Sequence, residues 1–80
     1  MSRLRVLNSQ GDKCVVWDPA GVESGDPEAL AAVREAERIF RESQAAGATA
    51  IRLAPGPRQV MTKFEPQAEE VVIVPRLAGG

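Results

Sequence analysis

The sequence lacks histidine and tyrosine, and it contains a single cysteine, Cys14. Histidine is the usual general base near neutral pH and the commonest metal ligand, so its absence argues against both kinds of site. One cysteine cannot form a disulfide within the chain, and without histidine it cannot complete the usual zinc ligand sets. We therefore expect no metal site, and a fold that holds without disulfides.

Long apolar runs and an excess of one charge are also missing. The chain carries 10 Lys and Arg against 11 Asp and Glu, a formal net charge of -1. This balance creates no field that would attract nucleic acid or an anionic membrane. The longest apolar run is far too short to cross a bilayer, and no signal peptide precedes the first predicted strand. We expect a cytoplasmic protein with no nucleic-acid partner and no membrane partner.

The composition is typical of one small globular domain. The chain has 80 residues, of which 44% are hydrophobic and 26% charged, as in ordinary globular proteins. A chain of this length buries a modest core and leaves no room for a second domain. We expect a domain over residues 1–75 and a flexible tail over residues 76–80.

The first residues predict a β-hairpin. Arg3–Asn8 alternates apolar and polar side chains, with Leu4 and Val6 expected to face the core. Ser9–Lys13 contains Gly-Asp, which is typical of a hairpin turn. Cys14–Asp18 is rich in β-forming residues and predicts a second strand, antiparallel to the first.

A long amphipathic helix gives the strongest local pattern. Pro19–Gly25 is predicted to be a loop from its proline and glycine content. Asp26 is then a good N-cap and Pro27 suits the first helical position, which predicts a helix over residues 27–46. Gly47 is placed to end this helix with a positive φ. The small or apolar residues at helical spacing are Ala29, Ala32, Val33, Ala36, Ile39, Phe40 and Ser43.

The remaining residues predict the rest of a sheet. Ala48–Pro55 is a third strand, Gln59–Phe64 a short fourth strand, and Glu65–Glu70 a turn or a single helical turn. Val71–Pro75 is continuously apolar, which favours a central strand buried on both faces and parallel to the first. The predicted fold is therefore α+β: a mixed four- to five-stranded sheet with one main helix packed on one face.

This element order and the ending "VPRLAGG" resemble the β-grasp fold of ubiquitin and the small bacterial sulfur carriers. The bacterial ubiquitin-like modifiers are the nearest resemblance, because of Arg76 and Leu77. The resemblance implies that an activating enzyme uses ATP to adenylate the terminal glycine. The carbonyl then passes to a conjugating enzyme as a thioester and finally to a target protein. The chain itself would need no cofactor and would not be an enzyme.

The resemblance assigns roles along the tail. Gly79 and Gly80 would be the attachment residues, since glycine leaves the reacting carbonyl open and adopts φ values that other residues avoid. Arg76, Leu77 and Ala78 would be read by partners, with Leu77 an apolar anchor and Arg76 a charge discriminator. Five extended residues reach roughly 17 Å. A deconjugating protease and a role in bacterial stress or antiviral defence are further expectations of the resemblance.

Two other groups of residues are candidate sites. Strand alternation suggests an apolar partner patch on the sheet, and its predicted members are Leu7, Leu53, Val72 and Val74. If the chain is joined to copies of itself, the acceptor amines would be Lys13 and Lys63, which are its only lysines. Arginine, by contrast, cannot act as an acceptor at neutral pH.

Several chemically interesting residues have a structural interpretation. Cys14 is expected to be a small core residue. Trp17 is expected to pack in the core, although a role as a partner anchor is the alternative. Asp12, Asp18 and Asp26 are interpreted as turn and cap residues rather than metal ligands.

Two alternative functions remain open from the sequence. In a sulfur carrier, Gly80 would become a thiocarboxylate. In a non-catalytic β-grasp interaction module, the sheet face would bind a partner and the terminal glycines would have no role.

Overall fold

The computed structural model describes residues 1–7 and 13–76. In chain order, the helices and strands are β1 Ser2–Val6, β2 Lys13–Trp17, α1 Pro19–Ser24, α2 Pro27–Ala45, β3 Thr49–Ala54, β4 Gln59–Val60 and β5 Glu70–Val74. Most of the predicted hairpin turn lies outside the described residues. So do four of the five predicted tail residues, namely Leu77, Ala78, Gly79 and Gly80.

The five strands form one mixed sheet in the order β2-β1-β5-β3-β4. β1 pairs antiparallel with β2 and parallel with β5, and β3 pairs antiparallel with both β5 and β4. β5, the last strand of the chain, is therefore the central strand of the sheet. This arrangement confirms the predicted α+β fold, of the β-grasp kind.

Burial explains why β5 is apolar without alternation. Val71 and Ile73 face the main helix and are 0% and 1% exposed, while Val72 on the other face is 8% exposed. A strand with a paired neighbour on each edge and a helix over one face has little contact with water, so its positions favour apolar residues. The unbroken run of apolar residues in β5 is therefore explained by the central position of this strand in the sheet.

α2 covers one face of the sheet. Its buried residues are Ala29, Ala36, Ile39 and Phe40, all on the predicted face. Ala36, Ile39 and Phe40 pack with Leu4, Val71 and Ile73 in one hydrophobic core. Asp26 accepts a hydrogen bond from the Ala29 N–H at 3.2 Å, and the helix ends at Ala45, so the predicted helix is confirmed to within one residue.

The predicted loop over residues 19–25 is wrong, because Pro19–Ser24 forms the short helix α1. Asp18 caps it by accepting the Ala20 N–H at 3.0 Å, Pro19 begins it, and Gly25 ends it at φ 80°. The Asp-Pro pair that begins α1 also begins α2, where it is Asp26 and Pro27. None of the residues of α1 is buried, so the helix has no apolar periodicity from which the sequence could predict it.

β4 is shorter than predicted. It comprises only Gln59–Val60, because Met61 turns into the core and is 4% exposed. The following residues run as irregular chain to β5. The turn predicted over residues 65–70 is confirmed, since the Ala68 N–H donates to the Glu65 carbonyl at 3.0 Å, and Glu70 already belongs to β5. This connection is held from inside: the Trp17 indole N–H donates to the Pro66 carbonyl at 2.9 Å. The Phe64 ring lies 5.7 Å from Trp17 and 5.8 Å from Phe40.

The two predictions for β2 have opposite outcomes. Trp17 is 1% exposed and belongs to the core, as predicted. The prediction that Cys14 packs in the core is wrong, because its side chain is exposed. The register of the β1–β2 pair sets Cys14 opposite Arg5 and Val15 opposite the buried Leu4. Alternation along β2 therefore turns Val15 and Trp17 inward and Cys14 outward.

Ser2 is a buried polar residue in this core, and its substitution is the first testable prediction. It is 0% exposed, and among residues 1–7 and 13–76 its hydroxyl has no hydrogen-bond partner. A buried hydroxyl without a partner costs about 1–3 kcal/mol. We expect Ser2→Ala to raise the free energy of unfolding by about 1 kcal/mol in a urea titration.

Ser24→Ala is the matched control for Ser2→Ala. The Ser24 hydroxyl is exposed and donates to the Gly21 carbonyl at 3.1 Å, so its removal should leave stability unchanged within about 0.5 kcal/mol. A loss of stability in Ser2→Ala would contradict the description of an unpaired hydroxyl.

Candidate functional site

One candidate surface is the face of the sheet that points away from α2. Leu4, Val71 and Ile73 belong to the core beneath α2. Because side chains alternate along a strand, Arg5 and Val72 point to the opposite face. Direct strand pairing extends this pair into a row across all five strands, which we call the outer row: Cys14, Arg5, Val72, Ile51 and Val60.

Exposure varies strongly along this face. Val60 is 61% exposed at one edge of the sheet, and Val16, on the opposite edge strand, is 47% exposed. Val72 at the centre is only 8% exposed. A partner could therefore contact the edge valines directly, whereas Val72 contributes mainly to the packing of the sheet.

The predicted patch residues do not all lie together. Val72 and Val74 share the outer face of β5 by alternation, and the N–H of Leu7 donates to the Ile73 carbonyl at 3.0 Å, just beyond β1. Leu53 lies at a register irregularity between Arg52 and Ala54. A β-bulge interrupts alternation, so the pattern of the sequence does not define the face of Leu53.

The sequence pattern missed Ile51 and Val60 as members of this face. Ile51 pairs with Val72 on one side and with Val60 on the other. Their place on this face follows from the order in which β5, β3 and β4 pair, and the residue pattern within a single strand does not predict that order.

Charges lie on β1 at the same face. Arg3 Nη2 is 3.0 Å from Glu70 Oε2, and Arg5 Nη2 is 3.6 Å from the same oxygen. Both arginine side chains are more than a third exposed, so these ion pairs contribute little to stability. Two arginines share one carboxylate, which leaves a positive group beside the valines of the outer row.

The second candidate surface is the base of the tail, where β5 leads through Pro75 to Arg76. Arg76 lies at the C-terminal end of α2: a Cβ atom built on Gly47 would be 3.1 Å from Arg76 Cδ. The helix closes there with a Schellman motif, since the Gly47 N–H donates to Gln44 and the Ala48 N–H to Ser43, both at 2.9 Å. The structure thus joins the first tail residue to the helix end.

An apolar groove of about 330 Å³ opens beside this contact. Its apolar lining comes from the ends of β1, α2 and β5, with Val6, Leu7, Ala46, Ala48, Ile73 and Pro75. Arg76 lies at its edge. The predicted patch residue Leu7 therefore lines the groove at the tail base.

The two candidate acceptor lysines are both exposed. Lys13 begins β2, and its Nζ lies 3.9 Å from Glu35 Oε1. Glu35 also accepts hydrogen bonds from Arg38, which lower the pKa of its carboxyl, with the charge of Lys13 contributing less. Lys63 lies in the connection after β4, and not in a strand as predicted.

Within the described ranges, no group of three or more His, Cys, Asp or Glu side chains is placed to hold a metal ion. No helix in this part of the chain has both the length and the apolar character needed to cross a membrane.

The fold defines the class of the protein: a small α+β protein with the strand order of a β-grasp. No family model, curated protein or solved structure matches the chain. Its function must therefore be argued from its own residues.

Proposed function

We propose that this chain is a ubiquitin-like modifier whose Gly80 is joined to an amine of a target protein. The observation that carries the proposal is the position of β5. The central strand of the sheet runs into Pro75 and Arg76, which are both exposed, and the sequence continues from there as Leu-Ala-Gly-Gly. The strand order and that sequence together support the modifier more strongly than either does separately.

The chemistry proceeds in three steps, of which the first is a substitution at the α-phosphorus of ATP and the next two are substitutions at the carbonyl of Gly80. Its carboxylate attacks ATP bound to an activating enzyme, giving an acyl adenylate and releasing pyrophosphate. A cysteine thiolate then displaces AMP and forms a thioester on the conjugating enzyme. Finally the target amine displaces the thiolate and forms an amide. ATP serves the activating enzyme, and all catalytic groups belong to the partners.

The chain contributes recognition. Arg76, Leu77 and Ala78 give the activating enzyme, the conjugating enzyme and a deconjugating protease a sequence to read ahead of Gly79 and Gly80. The outer face of the sheet, with exposed Val16 and Val60 on its two edge strands and Arg5 opposite Val72, offers a separate surface to these partners. Specificity then arises from contacts made by tail and sheet together.

The test is mass spectrometry of proteins from the native host after trypsin digestion. Trypsin cleaves after Arg76, so a modified target lysine should carry the tetrapeptide Leu-Ala-Gly-Gly from residues 77–80. A chain shortened by Gly79 and Gly80 is the control and should give no such peptide.

Other results would favour the alternatives. Replacement of one Gly80 oxygen by sulfur, without any modified lysine, would replace the modifier with a sulfur carrier. Full biological activity of the shortened chain would replace it with an interaction module. The intact mass of the native protein identifies the residue that carries its terminal carboxylate.

A further inference from the structure

We propose that Gly47 and Arg76 form a built contact that fixes the base of the tail against the C-terminal end of α2, which makes Arg76 a positioning residue for Gly80. The functional part of this inference rests on the proposed modifier function. The contact itself concerns only described residues and can be measured on the isolated protein.

The first observation is steric. A Cβ atom on Gly47 would lie 3.1 Å from Arg76 Cδ, 3.7 Å from its Nη1 and 3.8 Å from its Cβ. The whole length of the arginine side chain therefore passes over a position that carries no side chain. An alanine at position 47 would therefore require the Arg76 side chain to give way by a few tenths of an ångström.

The second observation is electrostatic. The last turn of α2 contains no basic residue, although the C-terminal end of a helix favours a cation. The last acidic residue of the helix, Glu42, pairs with Arg38 at 2.7 Å. Arg76 supplies the missing positive charge from the far end of the chain.

Together these observations give Arg76 a second role beside recognition. With its side chain held on Gly47, the chain leaves β5 beside the apolar groove and the last turn of α2. An enzyme that reads Arg76 must then approach this end of the helix, and it meets the guanidinium in a fixed place. A free side chain would lose more conformational entropy on binding.

The structure offers a matched control for the glycine. Gly25 ends α1 at φ 80°, as Gly47 follows α2 at φ 89°, but a Cβ on Gly25 would meet nothing within 4 Å. Both Gly47→Ala and Gly25→Ala therefore introduce similar backbone strain, and only Gly47→Ala disturbs Arg76. The difference between the two variants isolates the contact.

The experiment is a double-mutant cycle in urea. We expect Gly47→Ala to raise the unfolding equilibrium constant about two- to fivefold more than Gly25→Ala does. In the Arg76→Ala background this excess should disappear. Arg76→Lys, which keeps a cation on an aliphatic stem, should preserve most of it. Equal penalties for the two glycines in the wild-type background would overturn the proposal.

A second measurement separates positioning from stability. The backbone amide order parameter of Arg76 should be near that of rigid structure, about 0.85, and should fall toward about 0.6 in Gly47→Ala but not in Gly25→Ala. Should Gly47→Ala fail to fold, Arg76→Ala carries the test. It must shift the amide resonances of Gly47 and Ala48 and leave that of Gly25 unchanged, and no shift would overturn the contact.

The two proposals fail separately. Absence of the Leu-Ala-Gly-Gly peptide would remove the modifier function and leave the contact standing. Absence of coupling between positions 47 and 76 would remove the contact and leave the modifier function standing.

Discussion

Ile73→Asp should unfold the domain. Ile73 is 1% exposed in the centre of β5, between Val6 of β1 and Ala50 of β3. The substitution loses apolar burial and places a carboxylate where its paired neighbours offer no charged partner, at a combined cost of about 5 kcal/mol or more. A domain of this length has a total stability of roughly 4–12 kcal/mol.

The choice of Ile73 over its neighbour Val72 follows from strand pairing. Val72 is almost as buried, but it lies opposite Arg5, and that arginine could pair with an introduced carboxylate. Such a pair would reduce the cost at position 72 and obscure the result. At position 73 the two cross-strand neighbours are aliphatic.

Val60→Asp is the control for Ile73→Asp. Val60 is also a β-branched residue of the sheet, but it is 61% exposed on the edge strand β4. We expect this variant to fold with a change of less than about 1 kcal/mol. Far-ultraviolet circular dichroism and the fluorescence of Trp17, the single tryptophan, report folding. A folded Ile73→Asp protein would show that β5 is not the central strand.

Phe40→Ala should lower the free energy of unfolding by about 3–5 kcal/mol. Phe40 is 2% exposed and joins α2 to the ring of Phe64, edge to face, at a centroid distance of 5.8 Å. Removal of the ring leaves a cavity between the helix and the connection that precedes β5. The remaining stability would be small for a domain of this length. Urea titration followed by Trp17 fluorescence measures the change.

Phe64→Ala is the control for Phe40→Ala, because it makes the same substitution at a half-buried position. We expect it to cost roughly half as much, since less apolar surface returns to water. A larger cost for Phe64→Ala than for Phe40→Ala would show that the core is centred on the connection before β5 and not on α2.

Much of the fold could be predicted because local chemistry and tertiary position agree there. The sequence predicts α2 from its N-cap Asp26, from Pro27 and from the apolar face that includes Phe40. It predicts a central strand at β5 from the continuous apolar residues there. α1 has equally good caps at Asp18 and Gly25, but no buried face reveals it. The proline and glycine content of this segment predicts a loop, and that prediction is wrong.

The candidate site could be predicted only in part. Strand alternation finds Val72 and Val74, but Cys14 was assigned to the core, because alternation defines two faces without saying which is inside. The bulge beside Leu53 breaks the alternation of β3. Ile51 and Val60 join the outer row only through pairing with strands that are distant in sequence.

By itself, the sequence determined the long helix α2 and the existence of the five strands, because these depend on local propensity and periodicity. Only the tertiary structure decided which faces are buried and where Arg76 lies. The contact between Gly47 and Arg76 joins the end of α2 to the end of β5, and no local sequence pattern predicts a contact between residues so far apart in the chain. It arises because β5 inserts at the centre of the sheet and leaves it beside the last turn of α2.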